Sequence, residues 1–329
     1  MESFFYDKCC FFFLMLYVII SEYGRLKNAF LAKKWFETLF PLLTNQFVQV
    51  GIKRNDPMPL HIRDPGYFIS YATGRIHIAY LYIQFKFLVR QNFLSFIRQV
   101  VVGFFSDNPM PHDRLYIDMI VEDHVFDACV FAVVNKSKMR WLREKYYNLS
   151  FTCVMELPIL PETYVVMSEF CEIASILLEN NESFIQCIKT PDVVLEYLIV
   201  SDLPIKCPKS PDQTYQKTVS FCVKLPSLCY SQQVACIFSE CIAFVDLLAG
   251  RAHWRSNISQ KLKSIREEAN KKLKKRQDEE KLANALKKKS EKDKQKKERI
   301  RNLSSQEQRK YLDKERERKY KKLFKVIKA

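Results

Sequence analysis

A run of charge near the end of the chain sets the strongest limit on the fold. Residues 271–301, KKLKKRQDEEKLANALKKKSEKDKQKKERIR, contain no aromatic residue, no proline and no glycine. Helix-forming residues dominate the segment, so we expect a helix, yet its apolar residues are too few to line a core. A helix from Lys261 to Arg301 would be about 60 Å long at ~1.5 Å per residue. The segment therefore predicts a long extension beside a folded domain.

The apolar residues that lead into this run form only a short seam. Their spacing is 4, 3, 4 and 4 over Ile258, Leu262, Ile265, Ala269 and Leu273, which amounts to two heptads. A stable coiled coil needs its seam sustained over about three or four heptads. We therefore expect a mostly solitary helix that is coiled-coil-like only at its start.

Positive charge is concentrated in the last quarter of the chain. Residues 251–329 hold 30 Lys and Arg against 12 Asp and Glu, a net of +18, while residues 1–250 hold 23 against 25. The excess of basic over acidic residues in the whole chain, +16, thus comes from the tail. Such asymmetry predicts a tail that meets a polyanion, either a nucleic acid or an anionic lipid surface. A solvated helix without a partner is the remaining alternative.

The composition of the tail favours contact with phosphates over contact with bases. No aromatic residue lies between Trp254 and Tyr311, and recognition by base stacking needs aromatic or arginine planes. The residues that we expect to bind RNA phosphates are Lys271, Lys272, Lys274, Lys275, Arg276, Lys287, Lys288, Lys289, Lys294, Lys296, Lys297, Arg299 and Arg301. A lipid-binding helix is disfavoured because it needs bulky apolar residues opposite its charge, and these are sparse here.

The other extreme segment is the apolar run CCFFFLMLYVII, Cys9–Ile20. Extended back to Phe4 it comes to seventeen residues, the short end of what spans a bilayer. The alternatives are a secretory signal peptide, which would have a basic start and a small-residue cleavage site, and a buried core helix. We predict a retained transmembrane anchor in residues 1–21. Basic residues between 25 and 34 follow it, so the positive-inside rule places residues 22–329 in the cytosol.

Residues 22–250 mix helical and strand patterns with short connections, which predicts an α+β domain rather than a parallel doubly wound sheet. Helical periodicity marks residues 26–43, 92–105, 137–149, 162–179 and 231–250. Strand patterns mark residues 47–51, 67–87, 114–121, 127–134, 193–200 and 217–225. The pattern over 67–87 predicts a hairpin that turns around Thr73 and Gly74.

The last helix of this domain, residues 231–250, has one apolar face that we expect to pack in the core. Its members are Val234, Ile237, Phe238, Cys241, Ile242, Val245 and Leu248. We also expect this helix to continue past Gly250 into the basic tail, residues 251–329.

The chain lacks the patterns that commonly mark an active site. Its six glycines are scattered singly, which excludes a phosphate-binding glycine loop, and its five histidines lie far apart. Its eleven cysteines contain no CxxC pair and no second pair at zinc-ligand spacing. We expect them to be reduced thiols in the cytosol rather than disulfides. The acidic residues Asp118, Glu122, Asp123 and Asp127 are a weak candidate for a cation site, with a solvated turn as the favoured alternative. We expect no catalysis, no metal and no cofactor.

Several stretches resemble the coiled-coil domain-containing protein 47 (calumin) family, a subunit of the PAT complex of the endoplasmic reticulum. They are WFETLFPLLTNQFVQVG (Trp35–Gly51), TGRIHIAYLYIQFKFLVRQNFL (Thr73–Leu94), VFDACVFAVVNKSKMRWLREKYYNL (Val125–Leu149), LPETYVVMSEFCEI (Leu160–Ile173) and the tail. The resemblance rests on the order and spacing of these stretches, which cover most of residues 22–329.

The resemblance implies a single-pass membrane protein of the endoplasmic reticulum with a short luminal N-terminus and a cytosolic C-terminus. It implies an intramembrane chaperone role, in which the PAT complex works with the ribosome-bound Sec translocon on nascent multipass membrane proteins. The implied partners are the ribosome, through its RNA phosphates, the translocon and an Asterix-like small membrane protein. The calcium binding of the family depends on an acidic luminal segment that has no counterpart before Cys9, so calcium binding is not expected. The alternative function is a structural tether whose basic tail lies on anionic lipid.

Overall fold

The computed structural model describes residues 2–53, 58–105, 112–179, 181–189, 195–208, 215–301 and 316–317. Two compact units divide the chain, Met1–Lys263 and Ser264–Ala329. The first unit contains a sheet and the helices that pack on it, and the second contains most of the basic helix.

The first helix, α1, spans Glu2–Gln46 without interruption. Its C-terminal part includes the predicted helix 26–43, which is confirmed. Apolar residues recur there at helical spacing and are at most 2% exposed: Ala32, Trp35, Phe36, Leu39 and Leu43. Burial of a large apolar side chain contributes about 1.5–3 kcal/mol, so this part of α1 is held firmly in the core.

The described strands form one antiparallel sheet. They are β1 Gln49–Val50, β2 His61–Asp64, β3 Tyr67–Thr73, β4 Ile78–Lys86, β5 Arg114–Val121, β6 Val130–Asn135, β7 Cys153–Met155, β8 Tyr164–Ser168, β9 Leu195–Ser201 and β10 Lys217–Lys224. Their order in the sheet is β1-β3-β4-β5-β10-β9-β6-β8-β7, and β2 pairs with β3. The predicted α+β class is confirmed.

The predicted hairpin over residues 67–87 is formed by β3 and β4. Gly74 lies in the connection with φ +90°, a left-handed value at which a side chain is strained. A Cβ atom at this position would also lie 2.7 Å from the side chain of Val48. The turn therefore requires glycine on both counts.

The described helices after α1 are α2 Phe93–Phe105, α3 Met139–Lys145, α4 Cys171–Leu178, α5 Glu182–Lys189, α6 Ser231–Arg251 and α7 Ser256–Arg301. All seven residues predicted to form the core face of α6 are at most 1% exposed, so that face is confirmed. The predicted helix 137–149 is confirmed in its middle part, because α3 is flanked by 3-10 turns at Lys136–Lys138 and Asn148–Phe151.

The sheet separates a large core from a small one, because successive side chains of a strand point to opposite faces. On one face, Leu115, Ile117 and Met119 of β5 belong to the large core that the helices α1, α4, α5 and α6 complete. On the other face, Val130 and Ala132 of β6 pack with residues of α3 in the small core. Both faces of the β6 region are therefore covered, which explains its continuous apolar sequence.

The prediction of a helix over residues 162–179 is wrong in its first part. Tyr164–Ser168 is the strand β8, which pairs with β6 and β7, and the helix α4 begins only at Cys171. Every residue of β8 is buried. A strand buried on both faces has no polar alternation, so periodicity does not distinguish it from a helix.

The prediction that the last domain helix continues into the tail is also wrong. The helix α6 ends at Arg251, residues 252–255 are not helical, and α7 begins at Ser256. Two hydrogen bonds fix this break: the Asp127 N–H donates to Ala252 O at 2.9 Å, and the Trp254 N–H donates to Asp127 Oδ2 at 2.8 Å. Asp127 thus holds the break with both its backbone N–H and its side-chain carboxylate.

Candidate membrane and nucleic-acid surfaces

The N-terminal part of α1 has an uncovered apolar surface. Each side chain from Phe11 to Ile19 is between 42% and 67% exposed, although all nine are apolar or aromatic. A contiguous apolar surface of this kind marks an interface with a membrane or with another protein. It coincides with the predicted anchor.

By length and composition, the segment of the described chain that could cross a membrane is Leu228–Arg251, which contains α6, rather than the N-terminal run. The apolar face of α6 is buried against the sheet. Its composition is therefore explained by core packing. The assignment of an anchor to residues 1–21 stays a prediction, to which the exposed surface of α1 lends support.

After its exposed part, α1 makes a close contact with the chain that follows β4. At Gly24, a Cβ atom would lie 2.3 Å from the backbone oxygen of Arg90, so only glycine allows the chain after β4 to lie so close. The buried side chain of Asn28 donates to Leu88 O at 3.0 Å and accepts from Arg90 Nη1 at 2.8 Å. Arg90 also pairs with Asp113, with 2.7 Å between Nη2 and Oδ2. This end of the sheet is thereby fixed to α1.

The same end of the sheet carries a row of cations, here called the strand-end cations: Lys86, Arg114 and Lys224. Lys86 and Lys224 are both paired in register with Arg114, on either side of it. Like charges directly opposite each other destabilise a sheet. Here the carboxylate of Glu196 pairs with Arg114 and offsets this repulsion, so Lys86 and Lys224 are the members of the row that are suited to binding anions.

A buried ion cluster, which the sequence analysis missed, lies behind this row. The guanidinium of Arg114 approaches the carboxylate of Glu196 at 3.0 Å, and Lys138 pairs with the same carboxylate. Burial, and after it the charge of Arg114, lowers the pKa of Lys138 to about 7. The Cys222 thiol donates to the Glu196 carboxylate at 3.5 Å, and burial raises the pKa of this thiol to about 12. The sequence did contain one sign of this cluster, because a glutamate lies within the mostly apolar strand LEYLIVS.

In the basic tail, α7 spans Ser256–Arg301 as one helix. Its first turns belong to the domain, since Ile258 and Leu262 lie in the large core. The candidate residues with described side chains are all exposed: Lys271, Lys272, Lys274, Lys275, Arg276, Lys287, Lys288, Lys289 and Lys294. The backbone at Lys296, Lys297, Arg299 and Arg301 is helical, and their side chains lie outside the described part. Leu282 and Leu286 are also exposed, 64% and 62%.

These lysines surround the helix instead of lining one side of it. Consecutive cations at 271–272, 274–276 and 287–289 are separated by about 100° each, so they point in different directions. The result is a cationic rod that can meet phosphates from several sides, without a defined apolar face. The role of the thirteen tail residues in binding stays a prediction.

Two of the acidic residues that were a weak candidate for a cation site, Asp118 and Asp127, make other contacts. Asp118 accepts from Gln84 Nε2 at 3.1 Å on the open face of the sheet, and burial raises its pKa. Asp127 caps the break between α6 and α7. Within the described ranges, no three His, Cys, Asp or Glu side chains come together as metal ligands. The absence of a cofactor stays a prediction.

Taken together, the exposed apolar helix, the α+β domain and the cationic rod define a membrane-associated protein with a long basic helix. The chain belongs to the family described as PAT complex subunit CCDC47, which it matches over residues 3–322. The resemblance seen in the sequence is thereby confirmed. The description of the family, a subunit of a complex, is that of a non-enzymatic component.

Relatives from yeasts and vertebrates carry two kinds of name. The UPF0674 endoplasmic reticulum membrane protein C2G5.01 of Schizosaccharomyces pombe is 30% identical over 271 residues, 78% of this chain and 70% of the relative. The UPF0674 endoplasmic reticulum membrane protein YNR021W of Saccharomyces cerevisiae is 22% identical, over 65% of this chain and 58% of the relative. The PAT complex subunit CCDC47 of Homo sapiens is 24% identical over 51% of this chain and 35% of the relative. The chain thus spans about a third of the human protein.

Proposed function

We propose that this protein is a subunit of the PAT complex in the endoplasmic reticulum membrane and works with the ribosome-bound Sec translocon on multipass membrane proteins. In this proposal residues 1–21 anchor the chain, residues 22–250 form a cytosolic domain and residues 251–329 bind ribosomal RNA. Membership in the family supports the complex. The assignment of RNA binding to the tail and of the other roles to the anchor and the domain rests on one observation. The tail is a cationic rod, whereas the preceding domain is nearly neutral.

The tail suits RNA phosphates better than a lipid surface. A helix that lies on a bilayer needs a wide apolar face opposite its charge, whereas Leu282 and Leu286 are isolated among exposed lysines and glutamates. Folded RNA is recognised largely through its shape and its phosphates. The tether function, with the tail on anionic lipid, is therefore the weaker alternative.

The chaperone role falls to the membrane segment and the domain. Shielding a client helix inside the bilayer requires apolar surface at membrane depth, and the tail has none to offer. The exposed run Phe11–Ile19 of α1 does provide such a surface. An Asterix-like small membrane protein and nascent multipass proteins are accordingly expected to meet the anchor rather than the tail.

The proposal is tested by affinity purification of the tagged full chain from detergent-solubilised microsomes. Ribosomal and translocon proteins should co-elute with it. A matched variant that ends at Lys263, the end of the first compact unit, should lose the ribosomal proteins and keep the small membrane partner. If the full chain brings down neither ribosomal nor translocon proteins, the proposed function is wrong.

A further inference from the structure

The helix α2 has an apolar stripe that the rest of the described chain leaves open. Its exposed members are Phe93, Leu94, Ile97, Val100 and Val101, between 39% and 71% exposed, and one further exposed apolar side chain of α2, Val102, lies outside the stripe. They fall at positions i, i+1, i+4, i+7 and i+8, which is one side of a helix. Exposure of such a stripe to water is unfavourable, so we expect it to face an apolar surface or a membrane.

The position of α2 relative to the anchor identifies that medium. Gln91 lies against Gly24 of α1, where a Cβ atom would be 2.7 Å from the Gln91 nitrogen, and α2 begins two residues later at Phe93. Gly24 is five residues beyond Ile19, the last residue of the exposed apolar run, which is about 7.5 Å along the helix axis. The stripe therefore begins at the level where α1 would leave the hydrocarbon core.

Local bonds hold α2 at that level. Asn92 begins the helix, because its Oδ1 accepts from the Ser95 N–H at 3.1 Å. The preceding residues are tied to α1 by the buried Asn28, which bonds both Leu88 and Arg90. The depth of α2 is thus set by the domain and does not depend on the helix alone.

Charge at the same end of the domain is complementary to lipid headgroups. The strand-end cations Lys86, Arg114 and Lys224 lie where β4 ends, β5 begins and β10 ends. The residue after Lys86 bonds Gly66, with the Phe87 N–H donating to Gly66 O at 2.8 Å, and the chain then passes to Asn28 of α1. The row therefore lies at the end of the sheet from which the chain leads into α2.

We propose that α2 lies in the cytosolic interface of the bilayer, with its apolar stripe among the acyl chains and the strand-end cations Lys86 and Lys224 at lipid phosphates. At 13 residues the helix is about 20 Å long, too short to cross a hydrocarbon core of about 30 Å. An interfacial helix buries its apolar face about 5–10 Å deep, which suits this length. The exposed Tyr23, 66% accessible, fits the aromatic belt at the same level. This inference rests on the anchor of the proposed function.

The test places a photo-crosslinking benzoylphenylalanine in the full chain, in microsomes that contain clickable phosphatidylcholine. The probe replaces Ile97 or Val101 in the stripe, Leu14 in the anchor, or Ile76 as a control. All four positions are exposed, so the substitutions leave the core intact. Ile76 is 77% exposed and lies in the β3–β4 turn. This turn is at the opposite end of β3 from the strand-end cations, and β3 is about 23 Å long.

The expected result is lipid adduct at positions 97 and 101 within about twofold of that at position 14, as for an interfacial helix, and background adduct at position 76. Lipid adduct at 14 with background at 97 and 101 would overturn the inference and leave the anchor intact. Protein adducts at 97 and 101 in place of lipid would also overturn it, since the occupant would be a partner protein. Lipid adduct at 97 and 101 without any at 14 would support the inference and refute the anchor.

Discussion

The guanidinium of Arg114 lies 3.0 Å from the carboxylate of Glu196, which is buried in the strand β9. The Glu196 side chain is 4% exposed, and Lys138 shares it. One carboxylate thus balances two cations that the fold has withdrawn from water. Such an arrangement is costly to break, because the remaining charges cannot be resolvated.

Replacement of Glu196 by Gln should therefore destabilise the domain by about 3–5 kcal/mol, the usual cost of removing one partner of a buried ion pair. Unfolding of the detergent-solubilised full chain, followed by circular dichroism in denaturant, measures this change. The matched control is Glu156→Gln, which breaks an exposed pair with Lys136 and should cost about 0–1 kcal/mol. Equal losses in the two variants would show that the Glu196 cluster is not a buried network.

Mild oxidation should join Cys187 to Cys236. Their sulfur atoms are 2.7 Å apart across α5 and α6, and the two residues are not joined by a disulfide. Burial and the hydrogen bond to Cys236 raise the pKa of Cys187 to about 12. The thiolate of Cys187 is therefore scarce at neutral pH and becomes more abundant as pH rises, so diamide should act faster at higher pH. Each disulfide formed removes two hydrogen atoms, which the diamide accepts.

Peptide mass spectrometry after diamide treatment identifies this bond, and the exposed Cys171 and Cys229 serve as internal controls that should stay unpaired. Untreated protein from microsomes should carry Cys187 and Cys236 as thiols, as expected for a cytosolic domain. A Cys187–Cys236 disulfide in untreated protein would instead indicate an oxidising compartment.

The topology is open to a protease test. Protease added to intact microsomes should digest residues 22–329, because the basic flank of the apolar run stays in the cytosol. Immunoblotting of a tag after Ala329 measures the digestion, and detergent-lysed microsomes give the control for protease activity. Asn148 begins the sequence Asn-Leu-Ser, which can be N-glycosylated only in the lumen. A protected tag, or glycosylation at Asn148, would show that the orientation is the opposite one.

The anchor should have a specific role. When Cys9–Ile20 is replaced by an unrelated apolar span of equal length, membrane insertion and ribosome binding should persist while pairing with the small membrane partner and client maturation decline. The reason is that shielding depends on the side chains at membrane depth, and insertion depends mainly on hydrophobicity. Co-purification of the small partner is the measurement. If the unrelated span pairs equally well, the segment is merely a tether.

Most of the elements follow from the sequence because their periodicity is clear. The core face of α6 and the β3–β4 hairpin are examples in which one polar face contrasts with one apolar face. The strand β8 did not follow, since burial on both faces removes that contrast. Nor did the end of α6, which is set by bonds from Asp127, a residue more than a hundred positions away in the sequence.

The candidate binding surfaces also differ in how far the sequence predicts them. The cationic rod is evident from composition alone, because it depends on no tertiary contact. The strand-end cations are not evident from the sequence, because Lys86, Arg114 and Lys224 come from distant segments and become neighbours only through strand register. For α2, periodicity predicts the helix but not which side the domain leaves open. Exposure is a property of the packed structure.

The central claim, that the tail binds the ribosome through RNA phosphates, is tested most directly by salt-dependent co-sedimentation with ribosomes. The variant replaces Lys287, Lys288, Lys289, Lys294, Lys296 and Lys297 by Gln, which keeps helix propensity and removes six charges. Replacement of the same residues by Arg, which keeps the charge, is the matched control. The native chain should lose about 10³–10⁵ in affinity between about 50 and 200 mM salt if it engages roughly six to ten phosphates. The Gln variant should bind less and show a flatter salt dependence, whereas the Arg variant should behave as the native chain. Unchanged co-sedimentation of the Gln variant in moderate salt would contradict the claim.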